Sequence, residues 1–437
     1  MIGISKLYCG TVEPSDALRY GRKSKDLPSH LLQFSGDKKP VVVWNCTRRC
    51  NLKCVHCYSR SENIAYGGEM TTEEGKGLIA DLARFGAPVI LFSGGEPLMR
   101  PDLLELARYA TAAGLRAVVS TNGTLISRER AGELKEANLS YVGVSLDGLR
   151  ETHDRFRGHR GAFDEALAGI RNCREAGIKV GLRFTINKRN AADIDGIFDL
   201  IEREDVPRIC FYHLVYAGRG SKLVAEDLSH EETRRVVDLI ISRTRDLHDR
   251  GKPKEVLTVD NHADGVYLYL RLLKENPDRA RKALELLEMN EGNSSGKGIG
   301  CVSWDGEVYA DQFWRHRSFG NVRQRPFSEI WSDLGDPLMK QLKEKKLHVK
   351  GRCGKCTWLD ICAGNFRVRA EAVTDDLWAP DPACYLTDEE IGVPVNTALG
   401  CGSPRGTWGS TRRCGRRWTD TRGVPFWDRA QRPKRRS

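Results

Sequence analysis

Short apolar runs alternate with amphipathic stretches over the first half of the 437-residue chain. Most of these runs contain no polar residue and are rich in Val, Ile and Phe, which is typical of strands buried on both faces of a parallel sheet. Six runs of this kind are present. They predict strands at Val41–Trp44, Val89–Phe92, Ala117–Val119, Val142–Val144, Val180–Ile186 and Ile209–Tyr212.

The stretches between these strands carry apolar residues at helical spacing. Thr71 and Glu74 have the pattern of a capping box at the start of one helix. Leu78 and Leu82 then share one face, and Gly86 is the stop signal. Strands that alternate with helices predict parallel βα units in a partial (β/α)6 TIM-like barrel. Functional residues of such barrels gather at the C-terminal ends of the strands.

The remaining sequence divides into segments of different character. We predict an N-terminal extension in residues 1–39 that packs outside the barrel, the barrel itself in residues 40–225 and a helical connector in residues 226–295. A cysteine-rich domain follows in residues 296–392. Residues 393–437 are dominated by Gly, Arg and Trp without an amphipathic period, so they are interpreted either as a disordered basic arm or as sequence that is not native to the fold, such as read-through or a shifted frame.

The net charge of +11 suggests nucleic-acid binding until its position is considered. Residues 395–437 contain eleven Lys and Arg but two acidic residues, so they carry +9, and residues 1–394 carry only +2. No basic stripe recurs in the body of the protein. We therefore expect no nucleic-acid partner for that body.

The fourteen cysteines are better explained as metal ligands than as disulfides. Disulfide-rich chains are small secreted domains, whereas this chain is large and opens without a charged and then apolar signal segment. No apolar run approaches the ~20 residues that cross a bilayer. The sequence therefore predicts a protein of the reducing cytoplasm with no membrane partner.

One short loop contains three cysteines in a CxxxCxxC pattern, Cys50, Cys54 and Cys57. Three thiolates from one loop suit three corners of a cubane iron–sulfur cluster, and the fourth iron then keeps an open position for a small molecule. A zinc site is the alternative, although zinc usually takes four closed ligands. His56 and Cys46 lie nearby but do not complete the usual zinc spacing.

A second cysteine set lies near the end of the body, at Cys353, Cys356, Cys362 and Cys384. Four thiolates close one cubane, so this set predicts a fully ligated cluster, with a zinc ribbon as the alternative. The cysteines in apolar strands and helices are expected to be buried free thiols: Cys46, Cys173 and Cys210.

Polar residues follow the predicted strands where a ligand would bind. Paired glycines in the GGEP turn allow close backbone approach, and hydroxyl, amide and carboxylate groups after the third and fourth strands can bond a ribose or a carboxylate. The alternative for each is a tight connection or an Asx turn that caps the next helix. The candidate ligand-binding residues are Gly94, Gly95, Glu96, Asn122, Ser145, Asp147 and Arg183.

Together these motifs resemble the radical S-adenosylmethionine (SAM) enzymes. The resemblance implies that the CxxxCxxC loop holds a SAM-binding [4Fe–4S] cluster and that the GGEP turn receives the SAM amino group. Arg183 either reaches the SAM carboxylate or pairs structurally with an acid. The second set resembles the auxiliary [4Fe–4S] site of SPASM or Twitch-type domains. A full SPASM domain holds a second auxiliary cluster, one ligand of which would fall near Phe366. Because that position is not a cysteine, we expect one auxiliary cluster and no cluster role for Cys301.

Three segments resemble, more narrowly, the radical SAM proteins of haem biosynthesis: Ile4–Gly10, Cys50–Tyr58 and Tyr212–Gly220. This resemblance implies an iron tetrapyrrole substrate. One branch removes the two acetate side chains of 12,18-didecarboxysiroheme by means of a 5′-deoxyadenosyl radical and gives iron-coproporphyrin III. The other branch leads to haem d1.

Tetrapyrrole carboxylates need cationic or hydrogen-bonding partners at the barrel mouth. Tyr212, His213 and Arg219 follow the sixth strand and are the candidate catalytic or substrate-binding residues. His262 and His316 are further candidates for carboxylate or iron contact, and their alternative is a structural role.

Two other classes of function remain open. A peptide-modifying SPASM enzyme would carry an N-terminal leader-binding winged fold, for which residues 1–39 look too short. A non-catalytic iron–sulfur electron carrier would not need the polar strand ends. The family resemblance implies a low-potential ferredoxin or flavodoxin as the electron donor.

Overall fold

The computed structural model describes residues 1–11, residue 16 and residues 39–393. The chain separates into two units, Met1–Pro394 and Val395–Ser437, and the described residues all belong to the first. The predicted basic tail, with Cys401 and Cys414, lies outside the described residues except for Val393.

One sheet organises the described residues. Its ten strands are arranged in the order β1-β8-β7-β6-β5-β4-β3-β2-β9-β10. Neighbours from β8 to β9 are parallel, whereas β1 and β10 join the two ends antiparallel. The strands are β1 Ile2–Gly3, β2 Val41–Thr47, β3 Val89–Gly94, β4 Arg116–Thr121, β5 Tyr141–Ser145, β6 Val180–Ile186, β7 Arg208–His213, β8 Glu255–Val259, β9 Ile299–Val302 and β10 Val308–Tyr309.

Helices connect the parallel strands and cover one face of the sheet. The α-helices are α1 Thr72–Phe85, α2 Leu103–Ala112, α3 Arg128–Glu136, α4 Arg150–Arg157, α5 Ala162–Glu175, α6 Ile194–Arg203, α7 His230–Asp249, α8 Ala263–Glu275, α9 Pro277–Asn290, α10 Phe327–Ser332, α11 Pro337–Lys343, α12 Gly351–Gly354, α13 Leu359–Cys362 and α14 Arg367–Thr374. A π-helical turn spans Ser5–Cys9, and 3-10 turns span Pro97–Met99, Ala191–Asp193, Gly218–Glu226 and Lys345–Leu347. Within the described ranges, none of these helices has both the length and the apolar character needed to cross a membrane.

All six predicted strands are present, but the sheet extends beyond them. β8 lies in the predicted helical connector and pairs parallel with β7, and β9 pairs parallel with β2. β1 pairs with β8, so the prediction that the N-terminus packs outside the barrel is wrong for Ile2 and Gly3. The apolar run of β8 was too short to stand out, because its five residues include Glu255 and Thr258.

Helix α1 begins and ends where its sequence predicted. The Thr71 hydroxyl accepts from the Glu74 amide at 3.2 Å, and the Glu74 carboxylate accepts from the Thr71 amide at 2.7 Å. Gly86 ends the helix in the left-handed region at φ 82°. A Cβ atom at Gly75 would lie 2.6 Å from the Trp44 ring, so glycine lets the helix lie close to β2. This packing supports the strand that leads into the cysteine loop.

Candidate active site

A cavity of about 1110 Å³ opens at the C-terminal ends of the parallel strands. Most of the site residues predicted from the sequence lie on its wall, as expected for a barrel whose strand ends meet at one side. They are Cys50, Cys54, Cys57, Gly94, Gly95, Asn122, Ser145, Asp147, Arg183, Tyr212 and His213. Glu96 and Arg219 do not line this cavity.

The three cysteines of the loop after β2 are held together on the cavity wall. Cys50 and Cys54 are buried and Cys57 is half-buried. The Leu52 amide donates to Cys50 Sγ at 3.4 Å, and the Ser59 hydroxyl lies 3.2 Å from Cys57 Sγ. Burial raises the pKa of the Cys50 thiol to about 12, so its thiolate needs a cationic partner such as iron. These donors and this burial fit three corners of an iron–sulfur cluster.

Arg157, at the end of α4, links the cysteine loop to the end of β5. Its Nη1 donates to Cys54 Sγ at 3.4 Å, and its Nη2 donates to the Asp147 carboxylate. His56 Nε2 lies 3.5 Å from the same carboxylate. Burial opposes ionisation of Asp147, yet the charges of Arg157 and His56 hold its pKa below the usual value. The sequence did not single out Arg157, because it is one of several charged residues in an amphipathic helix.

Arg219 has a different place from the one predicted. Its Nε donates to the Cys54 carbonyl at 2.7 Å and its Nη1 to the Ser61 carbonyl at 3.0 Å. Its backbone amide also donates to the Cys57 carbonyl at 2.9 Å. Arg219 therefore holds the backbone of the cysteine loop, and it does not reach into the cavity as a substrate contact.

The paired glycines of the GGEP turn lie against the cysteine loop. The Gly95 amide donates to the Thr47 carbonyl at 2.7 Å. A Cβ atom at Gly95 would lie 2.1 Å from the Arg49 carbonyl oxygen, and one at Gly94 would lie 2.2 Å from the Thr47 carbonyl oxygen. Glycine is therefore required at both positions because the turn lies directly against the cysteine loop. Both residues still line the cavity.

Glu96 is completely buried beneath the cavity wall. Its carboxylate accepts from the Thr121 hydroxyl at 2.7 Å, the Asn122 amide at 2.7 Å and the Leu98 amide at 3.1 Å. The Asn122 side chain in turn donates to Asn51 Oδ1 at 2.8 Å. Glu96 therefore connects the ends of β3 and β4 and positions Asn122, which does line the cavity.

Arg183 presents an unpaired charge to the cavity. Its Nη1 donates to the Ser120 hydroxyl at 3.0 Å, and its guanidinium lies 5.8 Å from the Tyr212 ring centre. No acidic side chain of the described residues forms an ion pair with Arg183, and its buried Nε atom has no partner there. Of the two predicted roles, this arrangement favours contact with a ligand carboxylate.

The histidine candidates separate into one at the cavity and two elsewhere. His213 lines the cavity, and its Nε2 lies 2.8 Å from the buried carboxylate of Asp264. His316 is exposed and pairs with Glu371 at 3.0 Å. His262 is buried away from the cavity wall, where its Nε2 lies 3.3 Å from the N-terminal amine. The latter two therefore have structural partners.

The second cysteine set surrounds a smaller and mostly apolar pocket of about 400 Å³. Burial raises the pKa of the Cys362 thiol to about 12 and that of Cys384 to about 11, so these thiolates also need a cation. All four predicted ligands contribute to the wall: Cys353, Cys356, Cys362 and Cys384. Cys301 is not part of it and instead accepts from the Asn45 amide group at 3.5 Å. The pocket fits one closed cluster with four protein ligands.

Comparisons with known proteins agree with these two sites. Residues 44–201 match the radical SAM superfamily, and residues 296–357 match SPASM, an iron–sulfur cluster-binding domain. The chain is also 73% identical to the Fe-coproporphyrin III synthase of Methanosarcina barkeri, over 90% of this chain and 99% of that protein. This chain belongs to the radical SAM superfamily. These families account for the predicted cofactors, SAM and iron–sulfur clusters.

Other relatives place the chain within the haem-biosynthesis group of the superfamily. It is 44% identical to the pre-heme d1 synthase of Dinoroseobacter shibae, over 83% of this chain and 90% of that protein. An AdoMet-dependent heme synthase of Methanosarcina barkeri is 35% identical, over 79% of this chain and 95% of that protein. The predicted family is therefore confirmed.

Two solved structures confirm the fold class at low sequence identity. Streptococcus suis SuiB bound to S-adenosylmethionine has a TM-score of 0.63 at 18% identity and covers 80% of this chain and 78% of its own. The enzyme anSMEcpe with bound AdoMet and a Cp18Cys peptide has a TM-score of 0.61 at 20% identity, with 79% and 94% covered. These likenesses concern the fold alone.

Proposed function

We propose that this protein removes the two acetate side chains of 12,18-didecarboxysiroheme and releases iron-coproporphyrin III. The observation that carries the proposal is that three thiols, an unpaired arginine and the polar ends of the strands share one large cavity. The same cavity wall carries the cluster thiols and the polar binding groups, which suits a cofactor and a substrate bound side by side. The 73% identity to an Fe-coproporphyrin III synthase, over 90% of this chain, supports a tetrapyrrole substrate.

The cysteine loop is the proposed site of the catalytic cluster. Cys50, Cys54 and Cys57 would hold three irons of this cluster, and no other cysteine among the described residues lines the cavity to fill the fourth position. When bound there, the cluster supplies the electron that cleaves SAM into methionine and a 5′-deoxyadenosyl radical. Arg157 and Arg219 keep the loop in place, the first through a sulfur and the second through backbone carbonyls.

The strand ends are the proposed binding groups for SAM. Asn122, Ser145 and Asp147 offer amide, hydroxyl and carboxylate groups on the cavity wall, and Arg183 offers a charge for the SAM carboxylate. Gly94 and Gly95 bring backbone groups to the same wall. Tyr212 and His213, at the end of β7, are left for the substrate.

The remaining partners follow from the proposed chemistry. The reaction consumes electrons of low potential, for which a ferredoxin or flavodoxin is the proposed donor. The second cysteine set is the proposed site of an auxiliary [4Fe–4S] cluster. A reducing cytoplasm is the proposed location, because both cysteine sites need reduced thiols.

Anaerobic turnover tests the proposal. The reconstituted protein is incubated with SAM, a strong reductant and iron-containing 12,18-didecarboxysiroheme, and the pigments are analysed by mass spectrometry. We expect loss of two acetate groups, and deuterium placed on the ring carbon beside the acetate-bearing carbon should appear in 5′-deoxyadenosine. Cleaved SAM with an unchanged pigment would contradict this substrate and favour a peptide-modifying enzyme. A changed pigment that keeps its acetate groups would favour the haem d1 branch, which acts on the same tetrapyrrole and to which a 44% identical relative belongs.

A further inference from the structure

Asp260 is a buried acid on the cavity wall that none of the assignments above uses. It follows β8, one of the two parallel strands that the sequence did not predict, and the residue is 9% exposed. Its backbone adopts φ 66°, in the left-handed region that residues other than glycine seldom occupy. Strained backbone of this kind persists when the surroundings hold it, and it concentrates at functional sites.

The surroundings of Asp260 leave its carboxyl group without a compensating partner. The Oδ2 atom has no hydrogen-bond partner among the described residues. The guanidinium of Arg369, which acts on Asp260, is already occupied: it binds the Asp381 carboxylate at 2.8 Å and donates to the carbonyls of Leu214 and Asp260 at 3.0 and 2.7 Å. A buried carboxyl group that no cation pairs with directly favours its neutral form.

The other acid on the cavity wall is in the opposite situation. Asp147 accepts from Arg157 and from the Thr185 amide, the latter at 2.7 Å, and lies 3.5 Å from His56. Burial raises the pKa of Asp260 to about 7, whereas the pKa of Asp147 is held low. Two carboxyl groups whose environments separate them in this way take different roles, one ionised and one able to donate a proton.

The segment that contains Asp260 also leads to the second cysteine site. The same segment continues into α8, whose Ala263 and Val266 line the pocket of the second cysteine set. Asn365 lines that pocket too, and its side chain accepts from the His262 amide at 2.7 Å and donates to Asn261 Oδ1 at 2.7 Å. Asp260 therefore lies on the wall of the substrate cavity, and the segment that follows it contributes to the pocket proposed for the auxiliary cluster.

We propose that Asp260 is the acid that protonates the departing acetate fragment. This inference rests on the proposed function. After hydrogen abstraction, the ring radical breaks the bond between ring carbon and CH2: one electron of that bond completes the ring double bond and the other leaves on the fragment. One electron from an iron–sulfur donor and one proton from Asp260 convert the fragment, CH2COO⁻ with an unpaired electron, into acetate. Asp260 is left as a carboxylate and is reprotonated from solvent.

The central test separates hydrogen abstraction from acetate release. Asp260→Asn is isosteric and asparagine tolerates the left-handed backbone, while Asp260→Gly removes the side chain and also fits φ 66°. With ring-deuterated substrate, we expect both variants to transfer deuterium into 5′-deoxyadenosine at nearly the normal rate. Acetate release should fall about 100-fold or more, which is within the usual contribution of a general acid. Asp260→Glu should restore part of it.

A second readout does not depend on turnover. In the cluster-loaded protein without SAM or substrate, infrared difference spectra should show a carboxyl group that titrates near pH 7 and disappears in Asp260→Asn. The groups that act on this titration are Arg369, Asp311, His213 and the N-terminal amine. Because the protonated form donates, acetate release by the wild-type protein should decline as pH rises through about 7. The variants should lack that dependence.

The possible outcomes are distinct. Asp278→Asn, an exposed acid paired with Arg281, is the matched control and should behave as the wild-type protein. Normal acetate release in both Asp260→Asn and Asp260→Gly would overturn the proposal, and loss in His213→Gln alone would assign the role to His213. If the wild-type protein releases no acetate at all, the proposed function fails first and this inference fails with it.

Discussion

The cysteine loop after β2 and the cysteine set of the C-terminal part differ in what surrounds their thiols. Around the loop lie charged groups with specific partners, namely Arg157, Asp147 and Arg219, and a cavity of about 1110 Å³. Around the second set lie apolar side chains such as Val266, and the pocket measures about 400 Å³. The first site has room and hydrogen-bonding groups for other molecules, whereas the second has room for little beyond a cluster.

The difference shows how one type of ligand serves two purposes. Three thiols in a polar cavity leave a coordination position and binding groups for a reactant, so the site suits chemistry. Four thiols in an apolar enclosure leave no such position, and a cluster held there can change its charge without changing its ligands. We expect the two sites to respond differently to the same substitution.

The largest effect is expected from Cys54→Ala. Loss of one of three loop ligands should remove about four irons, the content of one cubane, and abolish SAM cleavage. Iron analysis and 5′-deoxyadenosine formation measure both consequences. Cys173→Ala, at a buried cysteine outside both sites, should keep the full iron content. A Cys54→Ala protein that still cleaves SAM would disprove the assignment of the loop.

Cys384→Ala should separate the two sites. The second cluster should be lost, and SAM cleavage should continue because the loop and its cavity are intact. Formation of iron-coproporphyrin III should fall at least about tenfold, since electron delivery to the substrate is impaired. Cys301→Ala, which changes a buried cysteine outside the pocket, is the matched control and should leave iron content and turnover unchanged. Equal losses of SAM cleavage and product would argue against separate roles.

Arg157→Met tests the charged support of the loop. Removal of the guanidinium leaves the buried Asp147 carboxylate uncompensated, which should lower the free energy of unfolding by ~3–5 kcal/mol. Denaturant unfolding measures this change, and SAM affinity should fall with it. Arg155→Met changes an exposed arginine of the same helix and should have little effect. The double variant Arg157→Met/Asp147→Asn should recover part of the loss, and failure to do so would rule out the pair as its cause.

The smallest effect is expected from Arg219→Lys. Lysine keeps the charge but cannot reproduce both guanidinium bonds to the Cys54 and Ser61 carbonyls. The cost should be about 1 kcal/mol, the net value of one hydrogen bond. Thermal unfolding of the cluster-loaded protein measures it, with Arg60→Lys at an exposed position as the control. A large loss of substrate affinity with unchanged stability would instead indicate that Arg219 contacts the substrate.

Much of this arrangement was predictable because it is local. Apolar runs such as Val89–Phe92 predicted strands, and Thr71 with Glu74 predicted a helix start, since both patterns depend on neighbours in the sequence. The cysteine spacings predicted two cluster sites for the same reason. The rule that functional residues follow parallel strands then placed Asn122 and Asp147 on one cavity wall.

Other features depended on contacts between distant residues. The strand β8 forms because Glu255–Val259 can pair with an existing edge at β7, and no property of that short run signals it. Glu96 and Arg219 were predicted to contact a ligand or substrate. Glu96 instead accepts a hydrogen bond from Thr121, Arg219 donates to the Cys54 carbonyl, and neither residue lines the cavity.

The sequence by itself therefore determined which chemical groups the protein carries and which ends of the strands they follow. Only the tertiary structure decided which of these groups remain free to act. Arg157 acquires its role because α4 brings it to Cys54, and Asp260 stands unpaired because Asp381 occupies Arg369. The physical reason is that charge compensation and burial are set by the sum of distant neighbours, and the order of residues along the chain does not encode that sum directly.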